Sequence, residues 1–133
     1  MKKLFKFLAI ALCIMMLGGC GAAKLSSNYS EAKLKAATEK VIDNLNNGKY
    51  DDIAGEMDEK VKAKMSAASI SSSIKKAWTN LGSIGKYHSI SKIVFQEKDG
   101  IAIVVAVAKY DNRNVQLTLS YNKNMKLEGI YIK

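Results

Sequence analysis

The sequence predicts an α+β domain, with N-terminal helices packed on one face of a four-stranded antiparallel sheet. Apolar residues recur at helical spacing as far as Leu81 and at every second position from about His88 onward. A change of period from about 3.6 to 2 marks a passage from helix to strand. Three groups of turn-forming residues, Asp99-Gly100, Asp111-Asn112 and Asn122-Lys123-Asn124, divide the second half. They tolerate positive φ and so fit three successive hairpins. Helices first and a meander afterwards is the element order of an α+β domain.

Ser30 is the expected N-cap of the first helix, because a serine hydroxyl can accept from a free amide of the first turn. Leu34, Ala37, Val41 and Leu45 then repeat every three or four residues, with Ile42 widening the stripe. Asn46-Asn47-Gly48 is the stop, Gly48 supplying a left-handed residue. Residues 49–57 read as a second, short helix with Asp51 and Asp52 at its positive end and Tyr50, Ile53 and Met57 on one side. Residues 59–65 are charged and ambiguous, with room for a helical turn or two. Ser66 can cap the next helix, whose stripe Ile70, Ile74, Ala77, Trp78 and Leu81 runs up to Gly82. Trp78 in that stripe is expected in the core.

Residues 88–96, 101–110, 115–122 and 126–132 read as strands. In the third, Val115, Leu117, Leu119 and Tyr121 alternate with Gln116, Thr118, Ser120 and Asn122. One face is buried and one wet, as in a sheet covered on one side. In the second, Ile101, Ile103, Val105 and Val107 alternate with Ala102, Val104, Ala106 and Ala108. Both of its faces are apolar, which places it centrally or against a second partner. The absence of proline agrees with strands that keep their ladder donors.

The first residues carry a different signal. Lys2, Lys3 and Lys6 precede an apolar run from Phe7 to Leu17, and Leu17-Gly18-Gly19-Cys20 closes it. A basic start, about 7–15 apolar residues and a small-residue exit describe a secretory signal peptide. The run is shorter than the ~20 residues a membrane span needs. The closing four residues resemble the lipobox of bacterial lipoprotein precursors. That resemblance implies a diacylglyceryl group on the Cys20 sulfur and cleavage that makes Cys20 the new N-terminus. The competing reading is an ordinary secreted protein with a cysteine near its cleavage site. The expected organisation is a signal peptide over residues 1–19, the lipidated cysteine and a flexible tether over 20–29, and a single domain over 30–133. Two acyl chains hold a protein at a membrane where one does so only marginally.

After such processing Cys20 is the only cysteine left, since Cys13 lies in the signal. No internal disulfide is then available, and the fold stands on its core alone. The precursor carries +9; without its first 19 residues, 18 basic residues face 12 acids, a balance of +6. An excess of lysine on an exported domain suits anionic headgroups or anionic wall polymers as neighbours, although scattered lysines also serve simple solubility. Nucleic acid is not an expected partner: Arg113 is the one arginine, and no aromatic-interleaved basic motif occurs.

The succession over residues 30–132 resembles the bacterial domain of unknown function 3887, in the nuclear transport factor 2-like, cystatin-like superfamily. The pieces that carry the resemblance are Leu45-Asn46-Asn47-Gly48-Lys49-Tyr50 with Ile53 and Met57, Ala77-Trp78 leading into Leu81-Gly82-Ser83-Ile84-Gly85, and Leu127-Glu128-Gly129-Ile130-Tyr131-Ile132. The resemblance implies a cystatin-like cone whose sheet and helices can enclose a pocket. Members include lipoproteins and chains in which the domain precedes an α/β-hydrolase. With Lys133 the last residue, no hydrolase is expected here. Some relatives in the superfamily are isomerases or dehydratases that use a buried acid and a histidine.

The residues for such chemistry are few. His88 is the only histidine and lies at the entry to the first strand. Asp51, Asp52, Glu56, Asp58 and Glu59 fall in polar segments, and Glu97, Asp99, Asp111 and Glu128 mostly near turns. No strand pattern sets a carboxylate among inward apolar residues, where burial tunes it for acid–base work. One histidine and a lipidated cysteine do not make a zinc set, and no twelve-residue calcium loop is visible. Ser66, Ser69, Ser71, Ser72 and Ser73 lack a Gly-x-Ser-x-Gly setting and read as caps and a wet helix face. No metal, cofactor or catalytic residue is therefore expected. The expectation is a lipid-anchored, extracytoplasmic protein of the cell membrane presenting a non-enzymatic binding or scaffolding domain. Its partner would be an envelope protein, a peptide or a small apolar ligand. A small enzyme using the cone pocket and a binder of anionic envelope polymers are the alternatives.

Overall fold

The computed structural model describes residues 24–133. The expected signal peptide and Cys20 lie outside the described residues. Among the described residues four helices precede the strands: α1 (Glu31–Asn46), α2 (Tyr50–Gly55), α3 (Glu59–Lys64) and α4 (Ala67–Thr79). Four strands follow, β1 (Tyr87–Lys98), β2 (Ile101–Tyr110), β3 (Asn114–Tyr121) and β4 (Leu127–Ile132). They form one antiparallel sheet in the order β1-β2-β3-β4, not closed into a barrel, with a short bridge from Met57 at the β4 edge. The α+β class expected from the sequence is the one observed.

Local chemistry explains the helix ends. Ser30 and Ser66 accept from the amides of Lys33 and Ser69, at 3.3 and 3.2 Å. The ambiguous charged stretch becomes α3 because Asp58 caps it, accepting from the Lys60 amide at 3.0 Å. Glu59 and Lys64 then stand at the ends that the helix dipole favours.

Register decides what each face of the sheet carries. Ala102, Val104, Ala106, Ala108 and Tyr110 of β2 share a face with Val115, Leu117, Leu119 and Tyr121 of β3. That face meets Leu34, Val41, Ile42 and Leu45 of α1, Ile53 of α2, and Ile70 and Ile74 of α4 in one core. Three alanines inward on β2 leave room for α1, which lies against that strand. The bulkier Ile103, Val105 and Val107 point the other way. β2 is central, so both of the placements that its double apolar pattern allowed come down to the first.

Two ties fix the connections. The Asp58 amide donates to the Leu127 carbonyl at 2.7 Å, and the Leu127 amide to Glu56 at 2.9 Å, joining the α2–α3 link to β4. Part of the stretch expected to be a flexible tether is packed. Tyr29 is buried, and its hydroxyl donates to the Gly100 carbonyl at 2.5 Å. The Ser26 amide donates to Glu97 Oε1 at 2.9 Å. No helix among the described residues is long and apolar enough to cross a membrane.

Candidate functional site

The fold brings His88 to a carboxylate that spacing did not associate with it. His88 Nε2 lies 2.5 Å from Asp111 Oδ1, across 23 residues of sequence. The same carboxylate accepts the Lys86 amide at 2.8 Å, and the Asp111 amide donates back to the Lys86 carbonyl. Asn112 adds its amide to Ile84 and its side chain to Ser83. Together these bonds clasp the loop before β1 to the β2–β3 turn. The Lys86 amide first, and then His88, hold the Asp111 carboxyl below its ordinary range. Both side chains of the pair remain 48% exposed. Acid–base catalysis draws on groups that burial and a substrate pocket have tuned, whereas this carboxylate is wet and already spends an oxygen on the backbone.

The other acids take structural or solvated positions. Asp51 and Asp52 are exposed in the first turn of α2, Glu56 pairs with Lys40 at 3.1 Å, and Glu59 with Lys62 at 3.3 Å. Among the described residues no group of three histidine, cysteine or acidic side chains is placed to hold a metal ion. Of the serines, Ser66 caps α4, and Ser69, Ser72 and Ser73 are exposed. Trp78 is half-buried rather than buried: its ring stands edge-on to Tyr110, with centroids 5.9 Å apart, at the margin of the core.

The space between helices and sheet, where a cone pocket was implied, is filled by the side chains of the core. Two concave regions among the described residues lie outside it. One groove of about 500 Å³ runs between α1 and the start of β1, lined by Glu39, Lys40, Ile42, Asp43, Asn46 and Tyr87. Its lining mixes both signs of charge. A second, smaller groove of about 240 Å³ lies on the face of the sheet turned away from the helices, lined by Lys92, Val94, Gln96, Val105, Val107 and Gln116. Neither includes His88 or Asp111.

The sheet groove is the centre of a larger surface. Paired positions Val94–Val105, Gln96–Ile103 and Lys92–Val107 continue through Val105–Thr118 and Thr118–Tyr131. All of them point away from the core, and no helix among the described residues covers them. Val94, Val105, Val107 and Tyr131 are partly exposed there. Thr118, expected on a wet face, is 4% exposed, and its hydroxyl has no partner among the described residues. The sequence marked this surface only as the second apolar face of β2; its extent depends on the register of four strands.

A filled interior, a structural histidine–carboxylate clasp and an uncovered apolar sheet face define a small α+β domain with its concave surfaces on the outside. The chain belongs to a family of proteins of unknown function, DUF3887, whose model matches residues 38–130. No curated protein and no solved structure matches the chain.

Proposed function

We propose that this protein is a lipoprotein, anchored through a diacylglyceryl group on Cys20 to the outer side of the cytoplasmic membrane. There it presents a non-enzymatic α+β domain that binds or scaffolds. The element order supports kinship with the nuclear transport factor 2-like superfamily, but with a packed interior in place of a pocket. The observation that carries the binding role is the uncovered sheet face: monomeric domains rarely leave a contiguous apolar surface open unless something meets it. The Leu17-Gly18-Gly19-Cys20 motif carries the anchoring.

Cys20→Ala removes the acyl acceptor. The expected outcome is loss of labelling by a fatty-acid probe, with the protein released from the membrane fraction or left unprocessed. Unchanged labelling and unchanged retention would overturn the anchoring.

A further inference from the structure

We propose that the uncovered face of the sheet docks flat on an anionic lipid bilayer. The proposal deepens the membrane reading above and takes from it the nearness of the bilayer. The face has a partly exposed apolar centre, Val94, Val105 and Val107, with Ile103 buried beside it, and lysines toward its ends. Lys92, Lys98, Lys109 and Lys133 share its register or end its strands. Lys92, Lys109 and Lys133 are exposed.

The acids of this half of the chain are engaged elsewhere. From Ser83 onward eight basic residues face four acids. Glu97 accepts from Ser26, Asp111 holds the clasp, Glu128 accepts from Asn122, and Asp99 sits in the β1–β2 turn. No carboxylate joins the register of the open face. Lysines on flexible stems beside an apolar centre fit a negatively charged, chemically uniform surface, with the stems lying along it and the ammonium groups among the headgroups.

Charge decides between occupants. A second copy brings the same excess of lysine to the contact with no carboxylate in the paired register to offset it, so self-association on this face is disfavoured. Reach selects the bilayer among anionic surfaces. Ser26 is pinned to Glu97 near one end of the sheet, and it lies only six positions after Cys20. Six extended residues span about 20 Å. An anchor at Cys20 therefore holds that end of the sheet close to the headgroups, and the exposed Lys92, Lys109 and Lys133, toward the opposite end, hold the far end down.

The test is a lysine footprint on the full chain. Protein bound to vesicles of equal parts phosphatidylcholine and phosphatidylglycerol is acylated with an amine-reactive ester and read by mass spectrometry. Lys92, Lys109 and Lys133 are expected to be protected, while Lys35 on α1 and Lys75 on α4 react as they do in solution. Lys92→Gln and Lys109→Gln should each weaken binding to these vesicles by about fivefold, with little change for Lys35→Gln. Uniform protection, no protection on vesicle-bound protein, or equal protection on pure phosphatidylcholine overturns the docking. Protection confined to native membranes overturns it as well, in favour of an acidic envelope protein. Acylation of Cys20 is read in the same spectra. An acylated Cys20 with an unprotected face refutes docking alone, and a protected face without acylation refutes the anchor alone.

Discussion

The Tyr110 ring stands edge-on to Trp78 and tilts against Tyr87 at 5.4 Å, while its hydroxyl donates to Asn46 Oδ1 at the end of α1. One side chain thus ties the last residue of β2 to two helices and to β1. Burial pushes its hydroxyl up to about 12, against an ordinary value near 10. Because the folded value is the higher one, the phenol's contribution to stability is complete below about pH 10 and is lost as pH rises through about 12. Unfolding followed by Trp78 fluorescence should show that loss in this window, and Tyr110→Phe should reduce it. A profile identical in the variant would assign the alkaline loss to other groups; Tyr121, more deeply buried, is raised further still. Neither the Tyr110–Asn46 bond, 64 residues apart, nor the His88–Asp111 pair was legible in the sequence. Spacing reports the face of a residue on its own element, and such partners are set by how elements pack.

Helix starts could be read because their causes are local. Ser30 and Ser66 cap α1 and α4 with their own hydroxyls, a bond that spans three residues. The turns were legible in part. Asp99 and Gly100 do adopt positive φ, at 53° and 80°, but in the β3–β4 connection the left-handed residue is Met125, at 61°. Asn122 accounts for that shift, because its side-chain oxygen accepts from the amides of Asn124 and Lys126 and moves the bend one step on. The clasp before β1 offers a sharper test. Gly85 has φ +84°, and a Cβ placed there falls 2.5 Å from Asp111 Cβ. The backbone alone costs a non-glycine residue about 1–2 kcal/mol in this region, and Asp111 has to shift as well. Gly85→Ala should therefore cost more than about 2 kcal/mol and loosen the loop, whereas Ser66→Ala should cost about 0.5–2 kcal/mol as a lost cap. Urea midpoints that ranked the two in the opposite order would show that the clasp contributes little.

At the scale of the molecule, the two faces of one sheet do different work, and β2 makes the contrast plainest. Its alanines turn toward the helices and its larger β-branched residues turn outward, the reverse of what core volume alone selects. Small inward residues let α1 settle on the sheet, and the apolar volume missing there is supplied by Leu34, Ile42 and Leu45 from the helix and by Leu117 and Leu119 from β3. Stability and surface chemistry are thereby separated: the helix face carries the packing, and the outer face is free to meet a partner. The separation has a measurable form. Leu119→Ala, at a fully buried position, should cost about 2–5 kcal/mol through lost transfer energy and an unfilled cavity. Val107→Thr changes the outer face at nearly constant shape, and should stay within about 0.5 kcal/mol in the isolated protein, as surface substitutions do. Chemical denaturation of both variants checks the pair. If Val107→Thr destabilises the protein as much as Leu119→Ala, the outer face belongs to the core of the fold, and an interaction surface has to be sought in the groove between α1 and β1.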